Sequence, residues 1–120
     1  MLLARNYAHP KQDLQGAVEL VERERRPDDA TTSVGLASRP IHDYFAPRWP
    51  VTETAADLDR LLAGGRTVWL VTAFEGHTRA TQADVMREVD RRFDKVAELP
   101  GTMGGGTVRV YRSRPVGPGR

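Results

Sequence analysis

The stretch that decides the fold is Arg66 to Gly76, RTVWLVTAFEG. Thr67 to Phe74 form a nearly unbroken apolar and β-branched run, set between Gly64-Gly65 and Gly76. It is too short for a buried helix and rich in strand formers, so it reads as a strand covered on both faces. That places it at the centre of a sheet, and the parallel kind is expected because its strands are buried on both sides. The polar residues after it, Glu75, His77, Thr78 and Arg79, then fall where the strand's C-terminal end opens. Open α/β sheets usually place ligands there.

Working outward, Asp13 is a suitable N-cap for a helix running to about Arg26. Leu14, Ala17, Val18 and Val21 give that helix one apolar stripe. Pro27-Asp28-Asp29 stops it, and a strand follows over Ala30 to Leu36. Ser38-Arg39-Pro40 starts a short helix through Tyr44 and Phe45, and Pro47 and Pro50 then forbid regular helix. Val51 to Glu53 reads as a brief edge strand. Thr54 with Asp57 forms a capping-box pattern for a helix through Leu58 and Leu62, ending at Gly64-Gly65. Thr81 with Asp84 repeats the pattern before the stripe Val85, Met86, Val89 and Phe93.

Lys95 to Leu99, a glycine-rich turn over Pro100 to Gly106, and Thr107 to Tyr111 make a hairpin-like finish. The expectation is a three-layer α/β sandwich with a mostly parallel, Rossmann-like sheet of about five strands and a C-terminal hairpin-like pair. Residues 1–12 read as an irregular segment, 13–112 as one domain, and 113–120 as a disordered tail.

Composition narrows the function classes. With 120 residues, 39% apolar and 28% charged, the chain fits one soluble globular domain. No window reaches the apolar length of a membrane span, and Met1 to Arg5 lack the apolar core of a secretory signal. The net charge is +2, and all but two of the 18 basic residues, Lys11 and Lys95, are arginine. Acids are interleaved with them, as in Glu22-Arg23-Glu24-Arg25-Arg26, which reads as a solvated helix face, so no nucleic-acid partner is expected. Zero cysteines exclude disulfides, thiolate zinc sites and cysteine nucleophiles.

Candidate chemistry is sparse. The Gly101 to Gly106 loop leads into a strand, whereas a phosphate loop must open a helix whose free N–H groups hold the phosphate. His9, His42 and His77 lack the close spacing of metal ligands, so neither metal nor cofactor is expected. Ser33 and Ser38 lack the strained glycine setting of a nucleophile elbow. Tyr44, Phe45 and Trp49 read by default as core or lid packing.

One constellation remains. Arg39, His42 and Asp43 follow the first strand, and Glu75, His77 and Arg79 follow the central one. If these strands are parallel neighbours, all six residues emerge at one edge and can form a polar binding crevice. No residue is assigned a catalytic role.

The order and spacing of several stretches carry a family resemblance. They are Tyr7 to Ala17 (YAHPKQDLQGA), Arg26 to Asp29 (RPDD), Ile41 to Pro47 (IHDYFAP), Arg66 to Val71 (RTVWLV), and the ending from Phe93 through Gly106 to Tyr111. Across roughly residues 7–112 the chain resembles the C-terminal extramembrane domain of polytopic, family-39-like glycosyltransferases of the dolichyl- or polyprenyl-phosphate-mannose type. In that family, transfer belongs to the transmembrane part, with acidic residues in an early extracytoplasmic loop and a divalent metal. No catalytic residue of that part maps onto this sequence.

The resemblance therefore implies an extracytoplasmic accessory domain, excised or truncated from its parent and soluble alone. It would lie near a membrane active site and aid acceptor or lipid-linked donor positioning, with Leu2-Leu3 as the exit from a last membrane helix. Its partners would be the parent's transmembrane part and a glycan acceptor or lipid-linked sugar. Two other readings stay open. One is a freestanding α/β enzyme or phosphate-ester or sugar-binding domain that uses the crevice. The other is a protein-interaction module built on Tyr44 to Trp49.

Overall fold

The structure, a computed structural model, describes residues 13–100 and 107–115. The glycine-rich turn, the irregular N-terminal segment and the end of the tail, all named above, lie outside the described residues.

The apolar run forms strand β3 (Val68–Ala73), and every one of its six residues is buried. It is the middle strand of a five-stranded sheet ordered β2-β1-β3-β5-β4, with β1 at Ala30–Val34, β2 at Val51–Thr52, β4 at Phe93–Leu99 and β5 at Val108–Ser113. On one side β3 runs parallel to β1, from Ala30 opposite Val68 to Val34 opposite Thr72, and β1 runs parallel to β2. On the other side β5 lies antiparallel to β3, with Val110 opposite Val71, and β4 is antiparallel to β5. The expectation of a mostly parallel sheet is thus corrected. The terminal pair forms as expected, but β5 inserts beside β3, so half of the sheet is antiparallel. An apolar run records burial on both faces and carries no mark of the direction of its neighbours.

Alternation along β3 supplies two cores. Trp69, Val71 and Ala73 face helix α1 (Leu14–Glu24) through Leu14, Ala17, Val18 and Val21, together with Ile41, Trp49, Val108 and Val110. Val68 and Leu70 face helices α2 (Ala55–Leu62) and α4 (Ala83–Arg92) through Leu58, Val85, Met86 and Val89, joined by Phe93 and Tyr111. The result is a mixed α/β fold with its apolar surface buried on both sides of one open sheet.

Several helix signals act as read. Asp13 caps α1 by accepting the Gly16 N–H at 2.9 Å, and Thr54 and Asp57 form a complete capping box. Beyond α2 the chain turns at Gly64, whose φ of 85° suits a residue without Cβ.

The short helix expected from Ser38 is irregular. A 3₁₀ turn (Gly35–Ala37) passes through Ser38–Pro40 into a π turn (Ile41–Phe45), closed by Ala46 N–H donating to Ile41 C=O at 2.7 Å. Pro40 has no N–H to give to the preceding turn, which loosens the helical ladder at that point.

One helix has no counterpart in the sequence reading, and one cap is misread. The polar residues after β3 form helix α3 (Glu75–Thr81), reached through Phe74 in the left-handed region at φ 53°. Thr81 and Asp84 do not cap α4. Thr81 donates to His77 C=O within α3, and Asp84 accepts the Ala55 N–H at 3.2 Å, so it caps the neighbouring helix α2. At the C-terminus, β5 continues to the buried Ser113, whose Oγ accepts the Val68 N–H at 2.9 Å. Strand β5 therefore takes in Ser113, the first residue of the segment read as a tail.

Candidate functional site

Since β1 and β3 are parallel neighbours, the 35–45 segment and α3 both leave the sheet at its C-terminal edge. They meet closely at Gly35, where an added Cβ would overlap Thr78 Oγ1, and Gly35 has a φ of 79°. The six residues read as a binding constellation emerge at this edge as two separate clusters.

In the first, Asp43 lies 3.5 Å from the Arg39 guanidinium and 3.4 Å from His42 Nδ1, and Arg39 is 89% exposed. In the second, Glu75 accepts from Arg79 Nε at 2.8 Å. Among the described residues no hydrogen bond or ion pair joins the two clusters, and His77 is solvent-exposed.

The second cluster belongs to a larger network. Arg109 and Tyr111 are two residues apart on β5 and so share a face. Tyr111 Oη donates to Glu75 Oε1 at 2.7 Å, and Arg109 stands 3.7 Å from the same carboxylate. Arg79 forks onto Asp90 of α4 with two bonds of 2.9 Å, while Arg109 also donates to Glu98 at 2.9 Å. Burial, then the hydrogen bond to Glu75 and that carboxylate's charge, push the Tyr111 phenol above its ordinary range. The hydrogen bond from Arg79 holds Asp90 below the usual carboxylate range, and the hydrogen bond to Asp90 raises Arg79 in turn.

Tyr111, Arg109 and Asp90 were not singled out from the sequence. They are bound to the site by strand order and helix packing, which leave no local motif.

Two cavities lie at the opposite, N-terminal edge of the parallel strands. One cavity of about 480 Å³ is bordered by Glu22, Arg25, Asp29, Arg48, Trp49 and Arg66, among others. A second, of about 300 Å³, shares Arg66 and adds Asp59, Arg92 and Arg114. The acids of the first cavity are held by buried indoles. Trp49 Nε1 donates to Glu22 at 2.9 Å and Trp69 Nε1 to Asp29 at 3.0 Å. Burial pushes the Glu22 carboxyl up, yet the bonds from Trp49 and Arg25 outweigh it and leave the net value lowered.

Trp49 is therefore a core residue at 4% exposure, whereas Tyr44 and Phe45 are 77% and 38% exposed and meet edge to face at 6.3 Å. The aromatic segment read as one unit is split between core and surface.

Among the described residues no group of three or more His, Asp or Glu side chains is placed to hold a metal ion, and no helix is long and apolar enough to cross a membrane. Comparisons with family models, with curated proteins and with solved structures give no match for this chain.

Proposed function

We propose that this chain is an accessory domain of a membrane glycosyltransferase that uses a polyprenyl-phosphate sugar, and that it positions acceptor or donor without catalysing transfer alone. The observation that supports the non-catalytic part is the condition of the acids at the C-terminal edge. Glu75 is engaged at both oxygens by Tyr111 and Arg79, Asp90 is forked by Arg79, and Asp43 is flanked by Arg39 and His42. A general acid–base pair needs a carboxylate oxygen within reach of a substrate proton, and carboxylates whose oxygens are already engaged by protein donors are poor candidates.

The family context is supported by the order of the stretches from Tyr7 to Tyr111. In this reading the helices on both sheet faces make a three-layer, Rossmann-like domain with an antiparallel extension, held outside the membrane beside the parent's transmembrane part. The reading is tested by the genomic frame that encodes the chain. A continuous or broken frame with about ten apolar spans upstream supports it; an isolated frame with no such neighbour counts against it.

A second reading, a freestanding α/β enzyme, draws on one feature. Phe74 holds a left-handed backbone, costly for a bulky side chain, directly before Glu75 and His77. Strain of this kind gathers at functional turns. Loss of a measurable turnover in Glu75→Gln or His77→Ala would favour this second reading.

A further inference from the structure

We propose that the cavity of about 480 Å³ at the N-terminal edge of the sheet is a binding site for a phosphate-type oxyanion, gripped by Arg48 and Arg66 with Arg25 as a supporting charge. The inference goes beyond the functional reading above and stands without it, because a phosphate ester of any origin satisfies the chemistry.

Nine of the described arginines pair with a carboxylate. Arg26, Arg87 and Arg112 form no such pair among the described residues, but none of the three borders this cavity. Arg48 and Arg66 are exposed and have no carboxylate partner among the described residues, yet both border the same cavity. They reach it from different elements, Arg48 from the proline-flanked link before β2 and Arg66 from the turn before β3. Two guanidinium forks left open around one concavity are suited to bidentate capture of phosphate oxygens.

The two acids at the rim are already supplied with donors. Glu22 accepts from Trp49 and from Arg25 at 2.9 Å each, and Asp29 accepts from Trp69 at 3.0 Å and from the Arg26 N–H at 2.9 Å. Neither is drawn onto Arg48 or Arg66, so three arginines face two carboxylates and the cavity keeps an excess positive charge. The adjoining smaller cavity is a weaker candidate, because its Arg92 and Arg114 are taken by Asp59 at 2.9 Å and Asp94 at 2.7 Å.

The test is titration of the chain with inorganic phosphate and pyrophosphate by calorimetry. A parallel arm uses flotation with phosphatidylcholine vesicles, with and without phosphatidylglycerol. Wild type is expected to bind saturably in at least one arm, and Arg48→Ala and Arg66→Ala are each expected to weaken binding about tenfold. Arg87→Ala, an exposed arginine on α4 that does not border the cavity, should leave it unchanged.

Binding of the soluble anions alone identifies a free phosphate ester; binding of the anionic vesicles identifies a headgroup phosphate. Either supports the site. No saturable binding in either arm overturns the proposal, as does an equal loss in Arg87→Ala, which would mean diffuse attraction. Unchanged melting curves verify that the variants fold, and Arg66→Gln serves as a second variant if the alanine does not.

Discussion

Tyr111 on β5 donates its phenolic hydrogen to Glu75 on α3 across 2.7 Å, tying this strand to the helix that follows the central strand. Burial and the nearby Glu75 charge both disfavour the phenolate. Because the folded value is raised, the native state holds a proton that the unfolded chain releases above the ordinary value of 10.0. Stability should therefore fall as pH rises through that value. Tyr111→Phe should cost about 1 to 3 kcal/mol at neutral pH, read as a lower urea midpoint, and should flatten the alkaline decline.

Asp90 gives the opposite dependence. Its folded value is depressed below the ordinary 3.8 by the Arg79 fork, so the contribution is present above that pH and lost as pH falls through the depressed value. Both partners are well exposed, and screening keeps the effect below about 1 kcal/mol. Denaturant midpoints measured from neutral pH down to about pH 3 should show a shallower acid decline in Asp90→Asn than in wild type.

Gly35 and Thr78 form a steric couple between the two segments of the C-terminal edge. Gly35→Ala forces a side chain onto a backbone with positive φ and into Thr78, and should destabilise the fold by roughly 2 to 4 kcal/mol. Adding Thr78→Ala removes the Oγ1 and Cγ2 overlaps and leaves only the 3.2 Å approach to Cβ and the backbone strain, so the double variant should recover part of the loss. Simple addition of the two single effects would contradict the couple.

Leu70 is fully buried on the face covered by α2 and α4. Leu70→Ala should cost about 2 to 5 kcal/mol by thermal or urea unfolding. Val96 sits at the irregularity in the outer strand β4 and is 38% exposed; Val96→Ala should stay within about 0.5 kcal/mol.

The central strand was legible because six consecutive residues obey one rule, burial on both faces, and the α1 stripe and the Thr54 cap were legible for similarly local reasons. Strand direction was not, since Val108 to Tyr111 looks alike whether it lies beside β4 alone or between β4 and β3. Helix α3 escaped because Gly76, Thr78 and Thr81 are weak helix formers and its start depends on the unusual backbone at Phe74. Asp84 shows the limit of motif reading, as its carboxylate serves a helix 29 residues away in sequence.

The site divides in the same way. Glu75, His77 and Arg79 could be placed at a strand end from sequence, whereas Tyr111 and Asp90 meet Glu75 and Arg79 only through tertiary packing. Arg48 and Arg66 share no pattern at all and are brought to one cavity by the link before β2 and the turn before β3.

The most direct test of the account is to incubate the isolated chain with a polyprenyl-phosphate sugar and follow binding and sugar release together. Binding without release is expected, with both Glu75→Gln and His77→Ala behaving as wild type. Sugar release by the isolated chain, abolished in either variant, would contradict it.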